Sequence, residues 1–167
     1  MHLGTLTLIL TLLAPAATAT WPVGPPRPTV VRGWEPPATP YGPGHRGVDL
    51  AAPPGTPVHA AADGRVTFAG PVGGRGVLSI TLPAATGTVP LRTTYEPVRP
   101  LVPQGADVRA GDLVAVTTTT GTSHCTAPAA CLHWGLRRGD TYLDPLLLLP
   151  PSLLRRPPSR LLPLTTT

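Results

Sequence analysis

The sequence predicts an all-β fold, a single antiparallel β-sandwich or partly open barrel with short turns and extended Pro-rich ends. Three observations predict it. Between residues 45 and 149 no segment carries a helical period, and short apolar or alternating runs recur between turn signals. Charged residues are 13% of the chain, all 13 basic residues are Arg, and only two of the 8 acids are Glu, which argues against salt-laced helices or a coiled coil. Aromatics are 4%, so the core must be filled by Val, Leu, Ile and Ala.

Taken in order, residues 3–13 form an apolar run that closes on small residues and an Ala-x-Ala pattern at Ala17, Thr18 and Ala19, which predicts a secretory signal over 1–19. A buried N-terminal strand is the alternative. The run is shorter than the roughly 20 residues a membrane span needs, so no span is expected after cleavage. Residues 20–44 hold eight Pro, too closely spaced for helix or central strand, and predict an extended arm pinned to the body by Trp34 and Tyr41. Residues 58–61 and 65–69 flank Asp63-Gly64, a hairpin signal. Strands are expected over 77–82, 91–98 and 113–117, with a tight turn at 109–112. Leu132, Trp134 and Leu136 alternate with His133, Gly135 and Arg137, which puts the first three on a core face and Cys131 with His133 on the other. The tail, 150–167, has five Pro and no period, and disorder is expected.

The net charge of +5 belongs mostly to the tail. From 45 to 149 eight Arg face seven acids, with no basic stripe and no interleaved aromatics, so nucleic acid is not an expected partner. An anionic cell envelope fits the balance. Export would place Cys125 and Cys131 in an oxidising compartment, where they can close a small loop. A free thiol serving as metal ligand or nucleophile is the other reading.

Among the His residues, His59 reads as a solvated or cleft-rim side chain and His124 as part of a Thr/Ser-rich loop. His45 and Asp49 stand four apart beside two glycines, a partial zinc site, and His133 on its strand face could supply a third ligand.

The segment 45–64, HRGVDLAAPPGTPVHAAADG, resembles the signature of the LytM/lysostaphin-type zinc endopeptidases of the bacterial cell wall, with a His-x-x-x-Asp pair, a Pro-Gly-Thr-Pro-Val turn and an Ala-Asp-Gly hairpin. The resemblance runs on through Thr94, Tyr95 and Glu96, through 108–112, and through Leu132, His133 and Trp134 to Asp144 and Pro145, covering about 42–149. It implies a zinc peptidase-like β domain over 45–149, with His45, Asp49 and His133 as ligands of one Zn²⁺ and a water in the open position. It also implies a secreted, cell-wall-associated metallopeptidase whose partner is peptidoglycan. A monomer is expected.

In that family two His do the proton work, and here their positions are Cys131 and Pro97. Three readings follow. Another residue takes over the proton transfer, His124 being the candidate base because a Cys125–Cys131 bond would hold it beside the position left vacant. The domain is instead a zinc-retaining module that binds peptidoglycan or activates another cell-wall hydrolase. Or the zinc is structural. The retained ligands favour the first, since a scaffold has little use for an exposed metal.

Overall fold

The computed structural model describes residues 19–39, 41–84, 88–119, 125 and 130–155. The expected all-β fold is what forms. Among the described residues the strands are β1 Val30–Arg32, β2 Gly47–Ala51, β3 Pro57–His59, β4 Gly64–Val72, β5 Arg75–Thr81, β6 Leu91–Glu96, β7 Val98–Pro100, β8 Asp107–Val108, β9 Leu113–Thr117, β10 Cys131–Arg138 and β11 Thr141–Leu143. A large antiparallel sheet runs β1-β2-β10-β6-β5-β4-β8, with β11 also paired to β10, and a second sheet runs β3-β9-β7. Every pairing is antiparallel.

β10 lies between β2 and β6, and its first six residues are all buried. The predicted alternation holds: Leu132 and Trp134 are fully buried and Leu136 nearly so. On this core face Leu132 and Trp134 join Val48, Leu50, Tyr95 and Ile80 from neighbouring strands, with Val58, Val98 and Val114 from the second sheet. The indole Nε1 of Trp134 donates to Thr93 Oγ1 at 2.8 Å, so the largest core side chain has its polar atom satisfied. The opposite face of β10, carrying His133, Gly135 and Arg137, is left to form a groove.

Four local expectations are corrected. Asp63-Gly64 is no hairpin: β3 pairs with β9 in one sheet and β4 with β5 and β8 in the other, so the dipeptide carries the chain between sheets. Gly64 is needed there for close approach, since a Cβ on it would meet Thr81 O at 2.5 Å. The expected strand over 91–98 splits at Pro97, where the missing N–H ends β6, and β7 continues in the second sheet.

The arm is more integrated than an extended cover. Its Pro-free stretch 29–35 contains β1, paired with β2, and Trp21 packs edge-on against Trp134 at 6.2 Å between centroids. Trp34 packs partly buried on the core, but Tyr41 is 99% exposed and pins nothing. The first residues of the tail are ordered rather than disordered. Pro151–Leu154 make one helical turn, Leu153 and Leu154 rest on the core, and Leu153 O accepts the Trp21 indole N–H at 3.2 Å. Two leucines with an apolar surface to cover outweigh the Pro-rich composition. Residues 1–18 and 156–167, which hold most of the presumed signal and of the tail, lie outside the described residues.

Candidate metal centre

His45 stands two residues before β2, in a segment tied to the arm. Its N–H donates to Glu35 O at 2.7 Å and its carbonyl accepts the Glu35 N–H at 3.1 Å. The Glu35 side chain accepts two hydrogen bonds from Arg32, at 3.2 and 2.7 Å, which holds this exposed carboxyl below the usual range. Asp49 lies on β2 and His133 on β10, and the two are direct register partners. Directly opposed residues share a face, so their side chains meet.

The three side chains converge. Asp49 Oδ1 lies 3.1 Å from His45 Nε2 and 2.9 Å from His133 Nδ1, and the two ring nitrogens are 3.1 Å apart. His45 and Asp49 are buried and His133 nearly so. On its far side the His45 ring donates Nδ1–H to Gly33 O at 2.6 Å. That bond leaves Nε2 of the neutral imidazole as a lone pair. Nε2 then faces a carboxylate oxygen, which can only accept, and His133 Nδ1, whose role depends on its tautomer. Such a donor set suits a divalent cation, and the nitrogen and oxygen types are those zinc takes. The residues fit the metal. Gly47 makes room for the arrangement: a Cβ there would lie 2.7 Å from His133 Nε2 and 2.4 Å from Trp134 O.

Cys125 and Cys131 are bonded to each other, as expected from their spacing, so neither is a thiol. Pro97 is buried at the end of β6. Neither Cys131 nor Pro97 offers a proton acceptor. His124 lies outside the described residues. His59, on β3, lies in a separate cleft beside Trp21 and Gly111.

The His45–Asp49–His133 cluster borders a groove of about 520 Å³, which His45 and His133 line and the outer face of the large sheet floors. Sequence reasoning missed its other polar residues. Glu96 is in register with His133 and pairs with Arg75 at 3.6 Å, and Arg92 is in register with Arg137. Tyr142 lies under Arg46 and Arg137, at 5.7 and 5.5 Å from the ring centroid. Only strand register brings these residues together, and no local motif announces it.

The chain is similar to known proteins over this whole region. It is 43% identical over 154 residues to Rv2891 of Mycobacterium tuberculosis, covering 87% of this chain and 55% of that protein. It is 35% identical over 102 residues to the DD-carboxypeptidase/endopeptidase Mpg of Neisseria meningitidis, covering 61% of this chain and 22% of that protein. The chain thus spans about half the length of the first relative and less of the second. Among solved structures it resembles the catalytic domain of the antimicrobial peptidase lysostaphin from Staphylococcus simulans, with a TM-score of 0.58 and 26% identity over 77% of this chain and 93% of that one. The model of peptidase family M23 matches residues 43–145, a span that holds His45, Asp49 and His133 and strands of both sheets, and the chain belongs to that family.

Proposed function

We propose that the chain is a secreted zinc metalloendopeptidase acting on peptide bonds of peptidoglycan. The observation that carries this reading is the convergence of His45 Nε2, Asp49 Oδ1 and His133 Nδ1 at the edge of an open groove. Three protein ligands beside an accessible cleft are the arrangement of a catalytic zinc site, whereas structural sites are closed by a fourth. Those three atoms would hold the ion. When bound, Zn²⁺ supplies Lewis-acid polarisation and a water of lowered pKa. The chain's own residues do the rest. Gly33 O holds the His45 tautomer, the β2–β10 register sets Asp49 against His133, and the groove takes an extended peptide along the strands. Proton transfer needs an acceptor within hydrogen-bond reach or one water away, and His124, tethered next to Cys125, is the residue we assign to it. The disulfide supports an extracytoplasmic location.

A second reading has its own observation. The disulfide at Cys131 and the aliphatic ring of Pro97 leave neither position with the side-chain proton acceptor that the resemblance leads one to expect. That favours a zinc-retaining module that binds peptidoglycan or activates another hydrolase. One experiment separates the two: zinc content of the secreted chain, and release of peptides from isolated cell walls with and without a chelator. Release abolished by the chelator supports the peptidase. Stoichiometric zinc with no release supports the binding module.

A further inference from the structure

The groove carries a charge imbalance that metal binding does not use. Among the described residues, Arg32, Arg46, Arg92 and Arg137 line it against a single acid, Glu96. Three of these cations have local partners. Arg32 is paired with Glu35, Arg46 donates to Gly42 O, and Arg137 donates to Gly139 O and to Asp140. Arg92 differs. Its Nε is buried with no hydrogen-bond acceptor, and it forms no ion pair among the described residues.

Its placement adds to the cost. Arg92 on β6 is the direct register partner of Arg137 on β10, and like charges opposed across a ladder destabilise it. A buried donor left without an acceptor costs more still. Arg92 lines the groove, and a guanidinium without an acceptor among the described residues is the complement of a planar oxyanion, which accepts two parallel N–H bonds.

We propose that Arg92, with Arg137 beside it, forms a carboxylate-binding subsite for an extended peptide. Arg92 lies four residues from Glu96 along β6, as Arg137 does from His133 along β10. At about 3.3 Å per residue that is roughly 13 Å, or about four residues of an extended ligand. Between the two rows the floor is uncharged, with Gly135, Thr94 and Ser79 in register. A peptide laid along it meets neutral surface, then one unmatched cation. One unmatched cation suits a single carboxylate better than a doubly charged phosphate. The binding stands by itself; only the position of the carboxylate relative to the bond over the metal cluster rests on the proposed function.

The test uses the whole secreted chain and two probes, N-acetyl penta-alanine as the free acid and as its C-terminal amide, with affinity measured by calorimetry. The acid is expected to bind about tenfold more tightly. Arg92→Gln should abolish the difference, Arg92→Lys should keep only part of it, and Arg99→Gln on β7 of the second sheet should keep it all. Arg92→Leu should melt at or above the wild-type temperature, because it removes an unsatisfied buried donor. Equal affinity for acid and amide, or a preference that survives Arg92→Gln, overturns the proposal, as does an Arg92→Leu variant that melts several degrees lower. Inorganic phosphate displacing the acid at lower concentration than the acid itself binds would reassign the site to phosphate. Preference for the acid without any peptide release sinks the peptidase reading and leaves this subsite standing. Release without preference does the reverse.

Discussion

Gly47→Ala tests whether the close packing of β2 on β10 is what holds His133 in place. A Cβ at position 47 would sit 2.4 Å from Trp134 O and 2.7 Å from His133 Nε2, where ordinary contact begins at 3.4 Å. The carbonyl would have to withdraw by 3.4 − 2.4 = 1.0 Å and the ring by 3.4 − 2.7 = 0.7 Å. β10 is hydrogen-bonded on both sides and has little room to withdraw, so the imidazole gives way. Overpacking of this kind costs about 1–3 kcal/mol. In a domain of this size that lowers the melting temperature by about 2–12 °C. A ring displaced by several tenths of an ångström also leaves the tolerance of a metal site, about 0.2 Å, and zinc affinity should fall about 10- to 100-fold. Zinc competition against a chromophoric chelator reads the affinity, and melts with and without the chelator read the stability. Gly70→Ala in β4 is the control, because its Cβ would find only Phe68 at 3.6 Å. A Gly47→Ala protein with wild-type zinc affinity and melting temperature would refute the packing argument.

Three further outcomes are expected. Burial pushes the Tyr95 hydroxyl from 10.0 up to about 12, so the folded chain keeps a proton that the unfolded chain releases. The stability this represents is whole below about pH 10 and is lost as pH rises towards 12, by about 1.4 kcal/mol per pH unit. Tyr95→Phe should cost about 1–3 kcal/mol at neutral pH, by leaving the buried Ala61 N–H without its 2.9 Å acceptor, and should flatten that alkaline fall. Denaturant midpoints from pH 8 to 12 decide it, an unchanged alkaline fall in the variant being the adverse result. Trp21→Ala should cost about 3–5 kcal/mol, since Trp21 packs on Trp134 and bonds Leu153 O; a loss under 1 kcal/mol would show the arm to be a mere tether. Thiol titration of the undenatured chain should find no free cysteine, and reduction should release two thiols and cost about 2 kcal/mol.

How much of this was legible follows from the range over which each signal acts. The alternation of β10 was readable because period two is a local property, and the structure buries Leu132, Trp134 and Leu136 as the pattern requires. Turn signals were less dependable. Asp63-Gly64 and Gly73-Gly74 are both hairpin dipeptides, but the β4–β5 hairpin turns at the second, where φ is +57° and +79°. Gly64 serves close packing, and a dipeptide does not say which use its glycine has. His45 and Asp49 were readable as a pair four apart, yet His133 joins them across 84 residues through strand register alone. Register also places Glu96 beside His133 and Arg92 beside Arg137, and neither is visible in spacing. Strand β1 in the arm and the ordered turn at Pro151–Leu154 went unread because proline count describes where helix and ladder are barred, and says nothing of the apolar contacts that Trp21, Leu153 and Leu154 make between the prolines.

The metal cluster bears on the choice between peptidase and binding module in a way that metal content cannot. Asp49 is a buried carboxylate, and burying it beside two imidazoles, one with its proton already donated to Gly33 O, is costly unless a cation neutralises the group. Occupancy relieves that cost whether or not a peptide is ever cut, because the relief comes from the three ligands and not from the proton acceptor. Loss of zinc in His45→Ala, Asp49→Ala and His133→Ala is therefore expected under both readings, and retention of stoichiometric zinc by all three would end both. Turnover depends on the acceptor instead. If His124 takes the proton, His124→Ala should lower peptide release by about 10²- to 10⁴-fold with zinc content unchanged. Reduction of the Cys125–Cys131 bond should lower it too, by freeing the segment that carries His124. Wild-type release by His124→Ala removes that residue from the mechanism, and no release by the unaltered chain leaves the binding module as the reading that stands.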